Sequence, residues 1–151
     1  MEPSLRGLEG YLGFWLRRLS DTVAARLEQE LAKHGVTVSQ WDVLITVHRR
    51  DATTAREVAE IMQIDPGAVS RLVDRLVAKG LMARELHPSS RRSLLLTLTE
   101  AGQALVPELS ATVDRHDRYF FGHLDQEERA WLTDWIVSLL EHSRSMPDDD
   151  Q

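Results

Sequence analysis

Three observations predict a mainly α-helical chain with one small β-hairpin. Apolar residues recur at three- and four-residue steps toward both ends of the 151-residue sequence. Two short helical segments near the middle are separated only by Gln63, Ile64 and Asp65. Leu94, Leu96 and Leu98 then repeat with period two, which is the signature of a strand. The order of elements expected is helix, helix, helix-turn-helix, hairpin, helix, helix: a winged helix-turn-helix flanked by N- and C-terminal dimerisation helices.

The first helix rests on Leu5, Leu8, Leu12, Trp15, Leu19, Val23, Leu27 and Leu31, and should end near His34-Gly35. Its stripe is longer than a small monomer needs, so part of it is expected to pack on a second chain. Thr37 and Gln40 have capping-box spacing and open a second helix over about Val38 to Arg49. Thr54 and Glu57 repeat the spacing and open a short third helix ending near Met62. Asp65 is a good N-cap and Pro66 suits the first helical position, so a fourth helix starts there. It carries Val69, Leu72, Val73 and Leu76 and stops at Lys79-Gly80, with Gly80 as the C-cap. Leu81 to Leu86 and Ser93 to Leu98 read as strands around a polar, basic tip at 87–92. Thr99 caps a fifth helix carrying Leu105, Leu109, Val113, His116 and Phe120. Asp125 opens a sixth, with Trp131, Leu132, Trp135, Ile136, Leu139 and Leu140 on its buried side. This is expected to divide the chain into helical dimerisation regions at 1–35 and 99–145, a winged helix-turn-helix lobe at 36–98, and a disordered acidic tail at 146–151.

The net charge of −6 by itself disfavours a polyanionic partner, but its distribution does not. From Pro66 to Arg92 the bases Arg71, Arg75, Lys79, Arg84, Arg91 and Arg92 face only Asp74 and Glu85, leaving +4. The residues from Glu100 onward hold four bases and twelve acids. A basic middle in an acidic chain is where double-stranded DNA would dock. At the start of the fourth helix Pro66, Gly67 and Ala68 are small enough for close approach to bases. Ser70 can bond a base or phosphate, and Arg71 can make the bidentate contact to guanine that the major groove favours. Arg75, one turn on, is placed for a phosphate or a base at the groove edge. Arg91 and Arg92 near the hairpin tip suit a minor groove or phosphates. Asp74 is expected to orient Arg71 or Arg75, or to meet the hairpin.

These residues resemble a known family. Ser70-Arg71-Leu72-Val73-Asp74-Arg75-Leu76, then Lys79-Gly80-Leu81 and Arg84, is similar to the recognition helix of MarR-type transcriptional regulators. Arg91-Arg92-Ser93-Leu94-Leu95-Leu96-Thr97-Leu98-Thr99-Glu100-Ala101-Gly102 resembles that family's wing and the start of its fifth helix, and Gln40-Trp41 before Leu44 its second. The likeness covers roughly residues 10–142. It implies a homodimer with interlocked terminal helices that binds palindromic operators, usually as a repressor released by a small aromatic or anionic ligand. It also implies that Arg92 reaches the minor groove while Ser70 and Arg71 enter the major groove. Where that family's wing usually carries acids, this chain has His87 and Ser90, which makes the tip more basic and should strengthen nonspecific, salt-sensitive binding.

The family's ligand pocket lies between dimerisation helices and lobe, where Tyr11, Trp15, Arg18, Trp41 and His48 could supply aromatic walls and a cation. Tryptophans at helical spacing are more often core. No cofactor is expected. His116 and His123 are seven apart, but Gly122 and Asp125 suggest that the helix ends there, so no metal is assigned. The absence of cysteine excludes disulfides and thiol chemistry. No phosphate-cradling glycine loop, His-Glu-x-x-His motif or nucleophile elbow is present, which disfavours an enzyme. Neither a signal-type apolar run nor a membrane-spanning stretch occurs, so a cytoplasmic protein is expected. The alternative is a winged helix that only binds proteins, and the basic helix beside a basic finger argues against it.

Overall fold

The computed structural model describes residues 5–145, without the side chains of Ser90, Arg91 and Arg92; the acidic tail at 146–151 lies outside the described residues. A 3-10 turn at Leu8–Gly10 precedes six helices: α1 (Leu12–Ala32), α2 (Val38–His48), α3 (Ala55–Met62), α4 (Pro66–Ala78), α5 (Glu100–Phe121) and α6 (Gln126–Arg144). Between α4 and α5 an antiparallel hairpin forms from β1 (Met82–His87) and β2 (Ser90–Leu98). The expected winged helix-turn-helix with flanking helices is present. The chain divides between Asp114 and Arg115 into two compact units.

Local chemistry accounts for most boundaries. The Thr37 hydroxyl accepts from the Gln40 N–H (3.1 Å) and the Gln40 side chain accepts from the Thr37 N–H (3.2 Å), so α2 opens on the expected capping box. Thr54 caps α3 by accepting from the Glu57 N–H, while Glu57 reaches back one residue further than expected, to the Thr53 N–H (3.1 Å). Asp125 and Glu128 close a full box at the start of α6. Gly80 follows α4 at φ +73°, a left-handed conformation that disfavours a side chain.

Three expectations are corrected. The first helix starts at Leu12 rather than near Leu5, because Gly7 and Gly10 each disfavour helix by about 1 kcal/mol relative to alanine and Tyr11 is extended. The hairpin tip is shorter than expected. His87 pairs with Ser90 and Leu86 with Leu94, so Arg91, Arg92 and Ser93 lie in the irregular step of β2 rather than in an open loop. The third correction concerns α6, which buries none of its residues; Trp131 is 63% exposed, and Trp135, Ile136, Leu139 and Leu140 are exposed with it. An apolar stripe identifies the side meant for burial, but it does not supply the surface that buries it.

The core lies wholly within the first unit. Leu31 of α1, Val43, Leu44 and Val47 of α2, Val58 of α3, Val69, Val73 and Leu76 of α4, Met82, Leu96 and Leu109 meet there. The Leu96 N–H also donates to the Thr53 carbonyl (2.8 Å), tying the wing to the loop before α3. Gly102 permits the turn from wing to α5, because a Cβ there would collide with the Leu81 carbonyl oxygen. In the second unit, the Arg129 guanidinium donates two hydrogen bonds to Asp117 (2.8 and 3.3 Å).

Asp42 of α2 pays a burial cost. Burial, reinforced by the Glu28 carboxylate, pushes its carboxyl above the usual range. The folded state therefore disfavours the charged form. That cost is absent below the ordinary carboxylate range and complete once pH exceeds the raised value. Asp42→Asn should raise the melting temperature at pH 7 and lose that advantage in acid. Thermal melts across pH would check this; an equal gain at every pH would mean that charge is not the cause.

Candidate nucleic-acid interface

Helix α4 starts at a capped corner. The Asp65 carboxylate accepts from the Ala68 N–H (3.3 Å) and Pro66 fills the first turn. A Cβ at Gly67 would stand 2.7 Å from that carboxylate, so the cap itself favours glycine, apart from any need to approach DNA. Val69, Val73 and Leu76 are fully buried, which turns Ser70, Arg71, Asp74 and Arg75 outward. Among the described residues, neither the Arg71 nor the Arg75 guanidinium has a hydrogen-bond or ion-pair partner. Pro66 is exposed; Gly67 and Ala68 are half-buried.

Asp74 meets the hairpin. Arg84 on β1 donates to the Asp74 carboxylate (2.6 Å) and to the Ser70 carbonyl (3.2 Å). Lys79, although exposed, is also engaged by the lobe itself, at the Gly35 carbonyl and the Gln40 side chain. Two of the six bases that make the middle of the chain positive are thus engaged by the protein's own groups. Sequence reasoning counted both as docking charge. The one signal for Arg84 was the acid at Asp74, which was expected to orient Arg71 or Arg75 or to meet the hairpin.

At the wing, His87 Nδ1 accepts from the Ser89 N–H (3.1 Å) and lies 2.9 Å from the Ser89 hydroxyl. The imidazole closes the turn at a position where the resemblance noted in the sequence implies an acid. The backbone of Arg91 and Arg92 belongs to β2, and their side chains lie outside the described ones.

The residues suggested for a small ligand are not gathered in one place. Tyr11 and Trp15 are exposed on the first arm, where the Arg6 guanidinium lies 4.8 Å from the Tyr11 ring centre and that of Arg18 lies 5.9 Å from the Trp15 ring centre. Trp41 belongs to the lobe core and is 8% exposed. His48 lines a cavity of about 520 Å³ with Arg50, Thr53, Gln103 and residues 95–98 of β2, and none of the other four lines it. Arg50 adopts a left-handed conformation, φ 60°, at the rim. The ring centres of His116 and Phe120 lie 4.9 Å apart, with the planes tilted by 56°.

A helix-turn-helix with its second helix capped and outward-facing, backed by a hairpin wing, defines a winged-helix DNA-binding protein. Residues 34–93 match the model of the MarR family. The chain is 33% identical over 116 residues to the multiple antibiotic resistance protein MarR of Escherichia coli, covering 77% of this chain and 76% of that protein. Among solved structures it is similar to CouR from Rhodococcus jostii, bound to p-coumaroyl-CoA, with 28% identity, a TM-score of 0.81 and coverage of 97% and 100% of the two chains. It is also similar to BpsR of Bordetella bronchiseptica, whose DNA binding is regulated by 6-hydroxynicotinic acid, with 28% identity, a TM-score of 0.77 and coverage of 95% and 100%. The chain belongs to the MarR family of DNA-binding transcriptional regulators, which are not enzymes. No helix of the described residues is long and apolar enough to cross a membrane.

The Asp74–Arg84 pair is largely solvated, with side-chain exposures of 65% and 29%, so its energetic contribution should be about 0.2–1 kcal/mol. A double-mutant cycle of Asp74→Ala and Arg84→Ala by denaturant unfolding should give a coupling of that size. A coupling near zero would leave the observed contact without energetic weight.

Proposed function

We propose that this chain is a homodimeric repressor that binds palindromic operators and is released by a small aromatic or anionic ligand. The observation that carries the DNA contacts is the pair of exposed arginines, Arg71 and Arg75, on the outer face of a helix held by its buried stripe. Pro66, Gly67, Ala68, Ser70 and Arg71 approach bases in the major groove, Arg75 takes a phosphate or groove-edge base, Arg92 enters the minor groove and Arg91 takes a phosphate or groove contact. Residues 36–98 form the DNA-binding lobe, and 1–35 with 99–145 form the dimerisation region. The exposed apolar stripes on α1 (Leu12, Leu16, Leu19) and α6 support the second copy. The cavity beside His48 and Arg50 supports the effector, since the Arg50 guanidinium suits an anionic group and Leu95, Leu96 and Leu98 suit an aromatic body. The ligands of CouR and BpsR are consistent with that chemistry.

Binding to the DNA upstream of the chain's own gene and to a random duplex, at two salt concentrations, tests this reading. Preference for the upstream fragment that survives higher salt supports it; no binding to either at low salt overturns it. Once an operator is in hand, Arg71→Ala should weaken it by about 1–3 kcal/mol and relax preference at one base position. Equal weakening on random DNA would make Arg71 a phosphate contact only. For Arg92→Ala, the slope of log affinity against log salt should become shallower by about one unit. An unchanged slope would exclude the wing from the contact.

A further inference from the structure

Lys79 follows the last turn of α4, and its side chain turns away from the outward face of that helix. Its ammonium donates to the Gly35 carbonyl (2.6 Å) and to Gln40 Oε1 (2.7 Å), 44 and 39 residues earlier in the chain. The two acceptors stand on either side of the α1–α2 turn. Gly35 (φ +76°) is the left-handed residue by which the chain leaves α1. Gln40 is 3% exposed, and its Oε1 also accepts from the Thr37 N–H, which closes the cap of α2. One cation thus joins three elements: the end of the first arm, the start of α2 and the end of the outward-facing helix.

Position argues against a phosphate contact. Helix α4 has 13 residues and so is about 20 Å long, which puts Lys79 at the far end from Pro66, Gly67 and Ala68. Two short charge-assisted hydrogen bonds already engage two of its three donors. The helix is therefore held at two places with different consequences. Arg84 ties its middle to the wing, through Ser70 and Asp74. Lys79 ties its end to the arm.

We propose that Lys79 is a positioning residue that straps the recognition helix to the exit of the α1 arm, and so sets the distance between the two recognition helices of the dimer. The inference rests on the dimer reading above. A dimer that reads two successive major grooves must hold those helices about 34–36 Å apart. An arm shared with a second copy determines that distance only if the recognition helix is rigidly tied to the arm. Packing can hold the rotation of α4, but a strap at its end resists the tilt and slide that would alter the separation.

The chain has no cysteine, so one introduced cysteine carries one spin label per copy. Glu60→Cys, on the exposed surface of α3, reports the separation of the two lobes by pulsed electron paramagnetic resonance. The parent protein should give one narrow distance, Lys79→Met a broadened or shifted one, and Lys79→Arg, which keeps charge and donors, a narrow one. On a random duplex, Lys79→Met should leave the salt slope unchanged. An unaltered distance distribution in Lys79→Met overturns the proposal. So does a slope about one unit shallower, which would make Lys79 a phosphate contact. Should Lys79→Met not fold, Lys79→Gln, polar but shorter, carries the same readings. Light scattering on the same samples keeps the two readings apart. A monomer overturns the dimer alone, and the strap is then read within one chain, from labels at Gln29→Cys on α1 and Glu60→Cys, with the same expected broadening.

Discussion

The rest of the lobe depends on the burial of Val69, Val73 and Leu76. These three side chains are spaced four and three residues apart on α4 and are wholly withdrawn from solvent. Each contributes about 1.5–3 kcal/mol on leaving water. The surface contacts available to α4, such as Asp74 with Arg84, contribute about 1 kcal/mol or less each. The apolar stripe therefore sets the rotation of the helix. With 100° between successive residues, Ser70, Arg71, Asp74 and Arg75 must then face outward. The Asp65 cap sets where the helix begins, and Gly80 where it ends. The polar contacts are left a smaller task, to hold the tilt and position of a helix whose rotation is already settled.

That division separates the basic residues of the middle segment into two kinds. Arg71 and Arg75 stay exposed on the helix, while Lys79 and Arg84 are drawn into hydrogen bonds with backbone carbonyls and nearby polar side chains. The formal +4 already counts Arg84 against Asp74, so it stands; what these contacts alter is which bases can reach out to a polyanion. The bases engaged by the lobe still matter to DNA binding, because an arginine can read a guanine only if its helix is held in place. The wing follows the same logic. His87 closes the tip by accepting from the Ser89 N–H, so the turn is fixed without a carboxylate and without adding negative charge beside Arg91 and Arg92.

The two arms show the opposite situation, apolar faces with nothing to hold them. Helix α1 buries Leu31 near its end and leaves Leu12, Leu16 and Leu19 exposed, and α6 buries none of its residues. An apolar stripe of that extent disfavours an isolated chain in water. A second copy covering both stripes, as proposed, would remove that cost. The contrast with α4 is physical: both kinds of helix carry the same three- and four-residue spacing, but only α4 has a facing surface within its own lobe.

The sequence alone determined whatever depends on residues close together in the chain. Thr37 with Gln40, Asp65 with Pro66, Gly80, and the alternation of Leu94, Leu96 and Leu98 marked elements that the structure contains. They are legible because caps, left-handed turns and side-chain periodicity act within a few residues. The outward face of α4, with Ser70, Arg71 and Arg75, was legible for the same reason. What remained illegible depends on residues far apart. Only the tertiary structure decided that Arg84 would meet Asp74, that Lys79 would reach back to Gly35 and Gln40, that Trp41 would enter the core while His48 lined a cavity, and that the stripe of α6 would stay uncovered. Charge and periodicity state what a side chain can do; the partner that comes within 3 Å of it is set by how the elements pack.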